Sequence, residues 1–191
     1  MSDWDKPDND TITIGHLTLY SREYDGELSD YVHKFDWDNM PTEISSLQDY
    51  FEEMMDRYSD DDEVIMDYDL VGLNSTSFKE RNYHNLFLEW DREHYIPEMH
   101  VLEQFDAMIV ETDGGIHLLK EAHLLTSDLI HQMKRWNCCP GFTSYSEQRF
   151  HACLRVCPKG SNKLKIIKNQ EGFLYSVYRE LVEGLENAWV S

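Results

Sequence analysis

Two apolar runs on either side of Asp113-Gly114-Gly115 constrain the fold of this chain more than any other feature of its sequence. The runs are 107–111 (AMIVE) and 116–120 (IHLLK), and both contain residues that favour strands. An Asp-Gly pair between two such runs is a strong short-range signal for a β-hairpin. The sequence therefore predicts at least one antiparallel pair of strands.

Further strands and amphipathic helices are predicted on both sides of this hairpin. Strands are predicted at 11–20, 64–70, 150–157 and 163–168, and 83–90 is compatible with a strand or a helix. Helices are predicted from Pro41 to about Tyr58, at 97–105, after a cap at Thr126 or Ser127, and at about 171–189. The last two carry apolar stripes, which are Leu129, Ile130, Met133 and Trp136, and then Leu174, Val177, Tyr178, Leu181, Val182 and Leu185. The predicted fold class is α/β of the α+β type, with mixed or antiparallel sheets and packed amphipathic helices.

Charge is distributed unevenly along the 191 residues. Residues 1–130 contain 32 Asp and Glu against 8 Lys and Arg, a net charge of -24, whereas residues 131–191 contain 5 against 9, a net charge of +4. We therefore predict an acidic α/β region at 1–130, followed by a basic, cysteine-containing hairpin and C-terminal helix at 131–191. Charge that is segregated in this way is more typical of a binding surface than of a general solubility device.

The acidic region has a charge density close to that of DNA. Duplex DNA carries one negative charge per roughly 1.7 Å of axis, so a net charge of -24 corresponds to roughly 40 Å of duplex. A compact unit of 130 residues has an expected radius of gyration of about 14 Å and hence a diameter of roughly 36 Å. This agreement favours a surface that imitates DNA, and the alternative is a solvated acidic exterior that limits aggregation. The predicted partner-binding residues belong to the acidic helix and the segment after it: Asp49, Glu52, Glu53, Asp56, Asp60, Asp61, Asp62, Glu63, Asp67 and Asp69.

The cysteine, histidine and glycine patterns give little support to a metal site or to catalysis. The weak candidates for zinc ligands are Cys138, Cys139, His151, Cys153 and Cys157, but an adjacent cysteine pair lacks the spacing of a structural zinc site. The nine histidines form no H-E-x-x-H pattern, and the chain contains neither a Gly-rich phosphate loop nor a nucleophile elbow. We therefore predict no enzyme activity and no cofactor, while a small zinc-binding protein stays open as an alternative.

Three short segments carry a family resemblance. They are Leu17-Thr18-Leu19-Tyr20, then Gly26-Glu27-Leu28, and, after the acidic helix, Glu63–Asp69 (EVIMDYD). From Leu17 to Asp69 the chain thereby resembles the ArdA antirestriction proteins, which are acidic DNA mimics carried by plasmids and other mobile elements. Ser29, Tyr31 and Val64 stand where that family has Gly, Trp and Tyr. The resemblance implies inhibition of a DNA-acting defence enzyme through its DNA-binding groove, commonly as a dimer, and it identifies no catalytic residue.

These observations predict an inhibitor from a phage or mobile element that blocks the DNA-binding groove of a restriction or CRISPR complex. The alternative is an immunity-type protein that caps a basic nuclease toxin. The expected partner is a basic nucleic-acid-binding protein complex, not a nucleic acid or a membrane, and a homodimer is left open. We expect the protein in the host cytoplasm, because the chain has no apolar run of roughly 18 residues and an acidic beginning at 1–10.

Overall fold

The computed structural model describes residues 11–14, 17–20, 70–77, 79–80, 82–157 and 163–189. The chain forms two compact units, Met1–Gly72 and Leu73–Ser191. The acidic helix predicted from Pro41 lies outside the described residues, as does the predicted strand at 64–70 apart from its last residue. The described residues have an α+β fold with antiparallel sheets, as the sequence predicts.

In the first unit, residues 11–20 form two strands instead of the single strand predicted. Strands β1 (Thr11–Ile14) and β2 (Leu17–Tyr20) pair antiparallel, with Thr11 opposite Tyr20 and Ile14 opposite Leu17. The prediction of one strand was wrong because it gave no weight to Gly15, which follows β1 and has no side chain to pack in a strand.

The described residues of the second unit form a four-stranded antiparallel sheet and four helices. A further strand, β3 (Leu70–Asn74), crosses the boundary between the units, and the other strands are β4 (His84–Asp91), β5 (Met108–Glu111), β6 (Gly115–Leu124), β7 (Cys153–Arg155) and β8 (Lys165–Lys168). The helices are α1 (Met99–Leu102), α2 (Thr126–Arg135), α3 (Pro140–Arg149) and α4 (Phe173–Trp189). The sheet has the order β4-β6-β5-β8, and β7 lies beside β3.

The hairpin predicted around Asp113-Gly114-Gly115 is confirmed. Glu111 of β5 lies opposite Ile116 of β6, and the Thr112 amide donates to the Gly115 carbonyl at 2.9 Å. The ambiguous segment at 83–90 is strand β4, which is paired with β6. The predicted strand at 163–168 is confirmed in part as β8, which pairs with β5 and so joins the basic end of the chain to the same sheet.

Both faces of this sheet are covered. Leu88 and Trp90 of β4 point to one face and Phe87 to the other, and all three are fully buried. On the first face the Trp90 indole N–H donates to the Trp136 carbonyl at 2.9 Å, which fixes the end of α2. At the start of α4, the Leu174 amide donates to the Glu121 carboxylate of β6 at 3.0 Å. Full burial of a large apolar side chain contributes about 1.5–3 kcal/mol to folding. The buried side chains of β4 therefore make this sheet the core of the unit.

The helices follow the predictions at the apolar stripes and depart from them at the ends. In α2 the residues Leu129, Ile130 and Met133 are buried, and in α4 Leu174, Val177, Tyr178, Leu181 and Val182 are buried, as predicted. The predicted cap at Thr126 or Ser127 is wrong, because the residue before α2 is Leu125 and no side chain caps the helix. Helix α1 is shorter than the predicted 97–105.

Helix α3 was not predicted, and it shortens the strand predicted at 150–157. Pro140 occupies the first turn of α3, where its missing N–H costs nothing. The helix ends at Arg149, and the residue after it, Phe150, is the C-cap with a left-handed φ of 62°. Because Phe150 is not in an extended conformation, the strand cannot begin there, and β7 spans Cys153–Arg155.

Candidate functional site

The acidic residues predicted to contact a partner lie outside the described residues. They are Asp49, Glu52, Glu53, Asp56, Asp60, Asp61, Asp62, Glu63, Asp67 and Asp69. Their arrangement relative to one another therefore stays a prediction from the sequence.

The two compact units differ sharply in charge. Met1–Gly72 contains 21 Asp and Glu against 4 Lys and Arg, a net charge of -17, and Leu73–Ser191 contains 16 against 13, a net charge of -3. Nearly all of the excess charge of -20 thus belongs to the first unit. The charge boundary near residue 130, which the sequence suggests, falls inside the second unit.

Basic side chains of the C-terminal third make contacts within the second unit. Lys134 pairs with Glu147 at 2.5 Å, and Lys165 lies 4.0 Å from Glu111. The Lys168 ammonium group donates to the carbonyl oxygen of Glu103 at 2.8 Å. Exposed ion pairs contribute about 0–1 kcal/mol each to the stability of a fold. These contacts therefore neutralise charge locally and add little to the stability of the second unit.

A buried hydrogen-bond network connects Ser75, His84 and Thr126. The Ala152 amide donates to the Ser75 hydroxyl at 3.0 Å, Ser75 Oγ lies 3.0 Å from His84 Nδ1, and His84 Nε2 lies 3.1 Å from Thr126 Oγ1. A neutral imidazole satisfies the whole chain when Ser75 donates to Nδ1 and Nε2–H donates to Thr126. Burial lowers the pKa of His84, which favours that neutral form.

This serine–histidine pair has the composition of a nucleophile and its base, but its surroundings are those of a structural network. Ser75 is fully buried, so a substrate carbonyl has no access to its hydroxyl. The hydroxyl is also held by the Ala152 amide. We therefore assign the network to the packing of α2 and of the segment before β7 against β4.

A second buried polar group, which we call the Arg155 cluster, consists of Glu89, His117 and Arg155. Glu89 of β4 and His117 of β6 are directly opposite each other in the sheet, and His117 Nε2 lies 3.8 Å from Glu89 Oε2. His117 is 5% exposed and Arg155 is 8% exposed, whereas the Glu89 side chain is 31% exposed. Tyr178 of α4 donates its hydroxyl hydrogen to the Arg155 carbonyl at 3.0 Å. The residues of the cluster thus come from β4, β6 and β7, α4 contacts Arg155 through Tyr178, and the Glu89 side chain is partly exposed.

The protonation of the cluster is set by burial and by the Arg155 charge. Burial, reinforced by Asp91, raises the pKa of Glu89 to about 7, although Arg155 opposes the rise. Burial and the Arg155 charge lower the pKa of His117 to about 3. Near neutral pH the cluster therefore holds a cationic guanidinium, a neutral imidazole and a carboxyl group that is about half ionised.

Two polar atoms of the cluster, His117 Nδ1 and Arg155 Nη1, have no hydrogen-bond partner in the part of the chain that the structure describes. Buried polar groups are nearly always hydrogen-bonded, so two such atoms in one cluster call for an explanation. Reasoning from the sequence missed this cluster. The available signal was a Glu, a His and an Arg, each placed inside an apolar run (LFLEW, GIHLL and CLRV).

The weak zinc-ligand candidates are not brought together. Among the described residues, no group of three or more His, Cys, Asp or Glu side chains has the arrangement of a metal site. Cys138 and Cys139 follow α2, Cys153 lies in β7, and His151 and Cys157 flank that strand. Burial raises the pKa of Cys138 to about 12 and lowers that of His151 to about 4. Burial therefore favours the neutral thiol of Cys138 and the neutral imidazole of His151.

No protein-family model, curated protein or solved structure has a significant match to this chain. Within the part of the chain that the structure describes, no helix is both long enough and apolar enough to cross a bilayer.

Proposed function

We propose that this protein is an acidic DNA-mimic inhibitor that acts through its first unit, Met1–Gly72. In this proposal the unit occupies the basic DNA-binding groove of a bacterial defence complex, such as a restriction enzyme or a CRISPR effector. The observation that supports it is the concentration of a net charge of -17 in 72 residues, next to a second unit with a net charge of only -3.

The charge of the first unit matches the line density of duplex DNA. A charge of -17 corresponds to about 29 Å of duplex. A compact unit of 72 residues has an expected radius of gyration of about 11 Å, and hence a diameter of about 29 Å. The match that the sequence suggested for residues 1–130 is therefore closer when it is applied to the acidic unit alone.

Recognition in this proposal is distributed over many weak contacts. Each carboxylate replaces a phosphate opposite a Lys or Arg of the partner, and an exposed pair of this kind contributes about 0–1 kcal/mol. The sum is large because many pairs form together. The binding is expected to weaken with salt, because exposed charges are screened beyond about 8 Å at physiological ionic strength.

The test uses a purified restriction endonuclease, its duplex substrate and the full-length inhibitor. A variant that combines Asp60→Asn, Asp61→Asn, Asp62→Asn and Glu63→Gln removes four charges from the acidic unit. At about 0.5 kcal/mol for each charge, inhibition of DNA cleavage should weaken about 30-fold. The matched control combines Glu93→Gln, Glu103→Gln, Asp113→Asn and Glu171→Gln, which removes four exposed charges from the second unit and should change inhibition by less than about twofold.

Three results would contradict the proposal. The first is equal loss of inhibition in the two variants. The second is complete loss of inhibition from one Asp→Asn change, which would indicate a specific lock. The third is a protein partner that stays bound at high salt and is not displaced by duplex DNA. That result would favour the immunity-type inhibitor of a basic nuclease.

A further inference from the structure

The tip of the hairpin between β5 and β6 combines an exposed aspartate with an exposed glycine. Asp113 and Gly114 are exposed, whereas Thr112 and Gly115 on either side are buried. A Cβ atom built on Gly114 would meet no other atom within 4 Å. In the part of the chain that the structure describes, neither the Asp113 carboxylate nor the Gly114 N–H makes a hydrogen bond. A carboxyl group and the backbone nitrogen of the next residue are thus adjacent through the chain, and no described residue engages either of them.

The other aspartates among the described residues differ from Asp113. The Asp91 carboxylate accepts a hydrogen bond from the Glu93 amide at 2.9 Å, and the Asp106 carboxylate accepts one from a glutamine side chain before α4. Asp128 lies in the first turn of α2. None of these three is followed by glycine, so each has a side chain beside the nitrogen that follows it.

We propose that Asp113 is a site of spontaneous conversion to isoaspartate. The Gly114 nitrogen forms a bond to Asp113 Cγ, and the hydrogen of that nitrogen leaves with the carboxyl hydroxyl group as one water molecule, which closes a succinimide ring. Water then opens the ring. Cleavage at Cγ restores aspartate, and cleavage at the backbone carbonyl carbon leaves isoaspartate, so no atom is gained or lost overall. Aspartate side chains in turns reach the backbone of the residues that follow them, and glycine places no side chain in the path.

The conversion alters the turn of the central hairpin. Isoaspartate lengthens the main chain by one atom, because Cβ joins the backbone path. The two ends of the turn are held in place, since the Thr112 amide donates to the Gly115 carbonyl at 2.9 Å and the Gly115 amide donates to Thr112 Oγ1 at 3.0 Å. The added atom should therefore displace the Gly114 carbonyl, which accepts from the Arg92 amide at 2.8 Å. Loss of that one hydrogen bond should lower Tm by roughly 5 °C. This inference concerns the second unit and does not depend on the proposed function of the first.

The test incubates the full-length protein at physiological temperature and pH, and trypsin then releases residues 93–120, which contain Asp113. Asp25-Gly26, the other Asp-Gly pair of the chain, lies in a different tryptic peptide. The 93–120 peptide should separate over time into two species of equal mass, and the new species should accept a methyl group from an isoaspartyl methyltransferase. Asp113→Glu keeps the charge but requires a larger ring, so it should abolish the new species. Gly114→Ala should slow its formation, because a Cβ atom then stands beside the nitrogen.

A synthetic peptide of residues 107–120 gives the rate of conversion without the fold. A rate in the folded protein that is comparable with the rate in this peptide supports the proposal. No new species in the folded protein, under conditions in which the peptide converts, would overturn it, because the hairpin would then keep the carboxyl group away from the nitrogen. Equally fast conversion in Asp113→Glu would also overturn it. An unchanged Tm of the converted protein, separated by ion exchange, would overturn the effect on the hairpin.

Discussion

Replacement of Gly115 by alanine should destabilise the second unit, and replacement of the adjacent Gly114 should not. Gly115 is the first residue of β6 and lies opposite Asp91 of β4. A Cβ atom at this position would collide with the carbonyl oxygen of Trp90 and would lie 2.9 Å from its carbonyl carbon and 3.1 Å from Asp91 Cα. Because these are backbone atoms of the neighbouring strand, the clash cannot be relieved by the rotation of a side chain.

The free-energy cost of Gly115→Ala can be worked out from the backbone of β4 and β6 that must move apart. Overpacking of a well-packed region costs about 1–3 kcal/mol. If β4 and β6 separate locally, the hydrogen bond from the Arg92 amide to the Gly114 carbonyl, now 2.8 Å, is weakened as well, at about 1 kcal/mol. The total for Gly115→Ala is therefore about 2–4 kcal/mol. For a unit of 119 residues this corresponds to a decrease in Tm of roughly 10 °C.

Gly114→Ala is the matched control. A Cβ atom on Gly114 would meet no other atom within 4 Å, and this residue does not have a positive φ. Its replacement should leave the free energy of unfolding unchanged or raise it by about 0.4–1 kcal/mol, because alanine restricts the unfolded chain. Urea denaturation of the two purified variants, followed by circular dichroism, measures both values. The reasoning fails if Gly115→Ala is within about 0.5 kcal/mol of the original protein, or if the two variants are equally destabilised.

Two further predictions concern the Arg155 cluster and its surroundings. The pKa of Glu89 is about 7 in the folded state and lies above its ordinary value of 4.5, so ionisation of Glu89 reduces stability as pH rises from about 4.5 to about 7. Glu89→Gln should therefore be more stable than the original protein by about 2 kcal/mol at pH 8, and this gain should disappear near pH 4.5. Urea denaturation at several pH values measures the gain, and a gain that does not change with pH would contradict this prediction. Tyr178→Phe should lower the free energy of unfolding by about 1–3 kcal/mol, because the buried Arg155 carbonyl loses its hydrogen-bond donor. Tyr175→Phe removes the hydrogen bond from the exposed Glu121 amide and should lower the free energy of unfolding by about 1 kcal/mol or less. Equal costs for the two tyrosines in the same assay would be evidence against the burial argument.

The elements that local patterns specify were predictable from the sequence. Asp113-Gly114-Gly115 is a turn signal that needs no knowledge of distant residues, and the α4 stripe repeats with the period of a helix. Helix α3 lacks such a stripe, since it buries Phe142 together with the polar Thr143 and Ser146, and periodicity could not reveal it.

The details that depend on tertiary contacts were not predictable. Thr126 has the chemistry of a helix cap, but its hydroxyl instead contacts His84, which is 42 residues away in sequence. Competition of this kind between a local and a distant partner cannot be read from a local pattern. The same limit applies to the Arg155 cluster, because it depends on which residues face each other across β4 and β6.

The two buried histidines of the second unit differ in how completely their ring nitrogens are hydrogen-bonded. His84 and His117 both lie in strands of the same sheet, and burial lowers the pKa of each. Each ring nitrogen of His84 has a partner, and the hydroxyl groups on both sides are held within the protein, so a ligand would gain nothing by binding there. His117 Nδ1 has no hydrogen-bond partner among the described residues, and Nε2 of the same ring lies 3.8 Å from the partly exposed Glu89 carboxylate. Burial in the same sheet therefore leaves His84 fully hydrogen-bonded and His117 with one unsatisfied nitrogen, a difference that is set by the side chains facing each ring and not by the sequence around it.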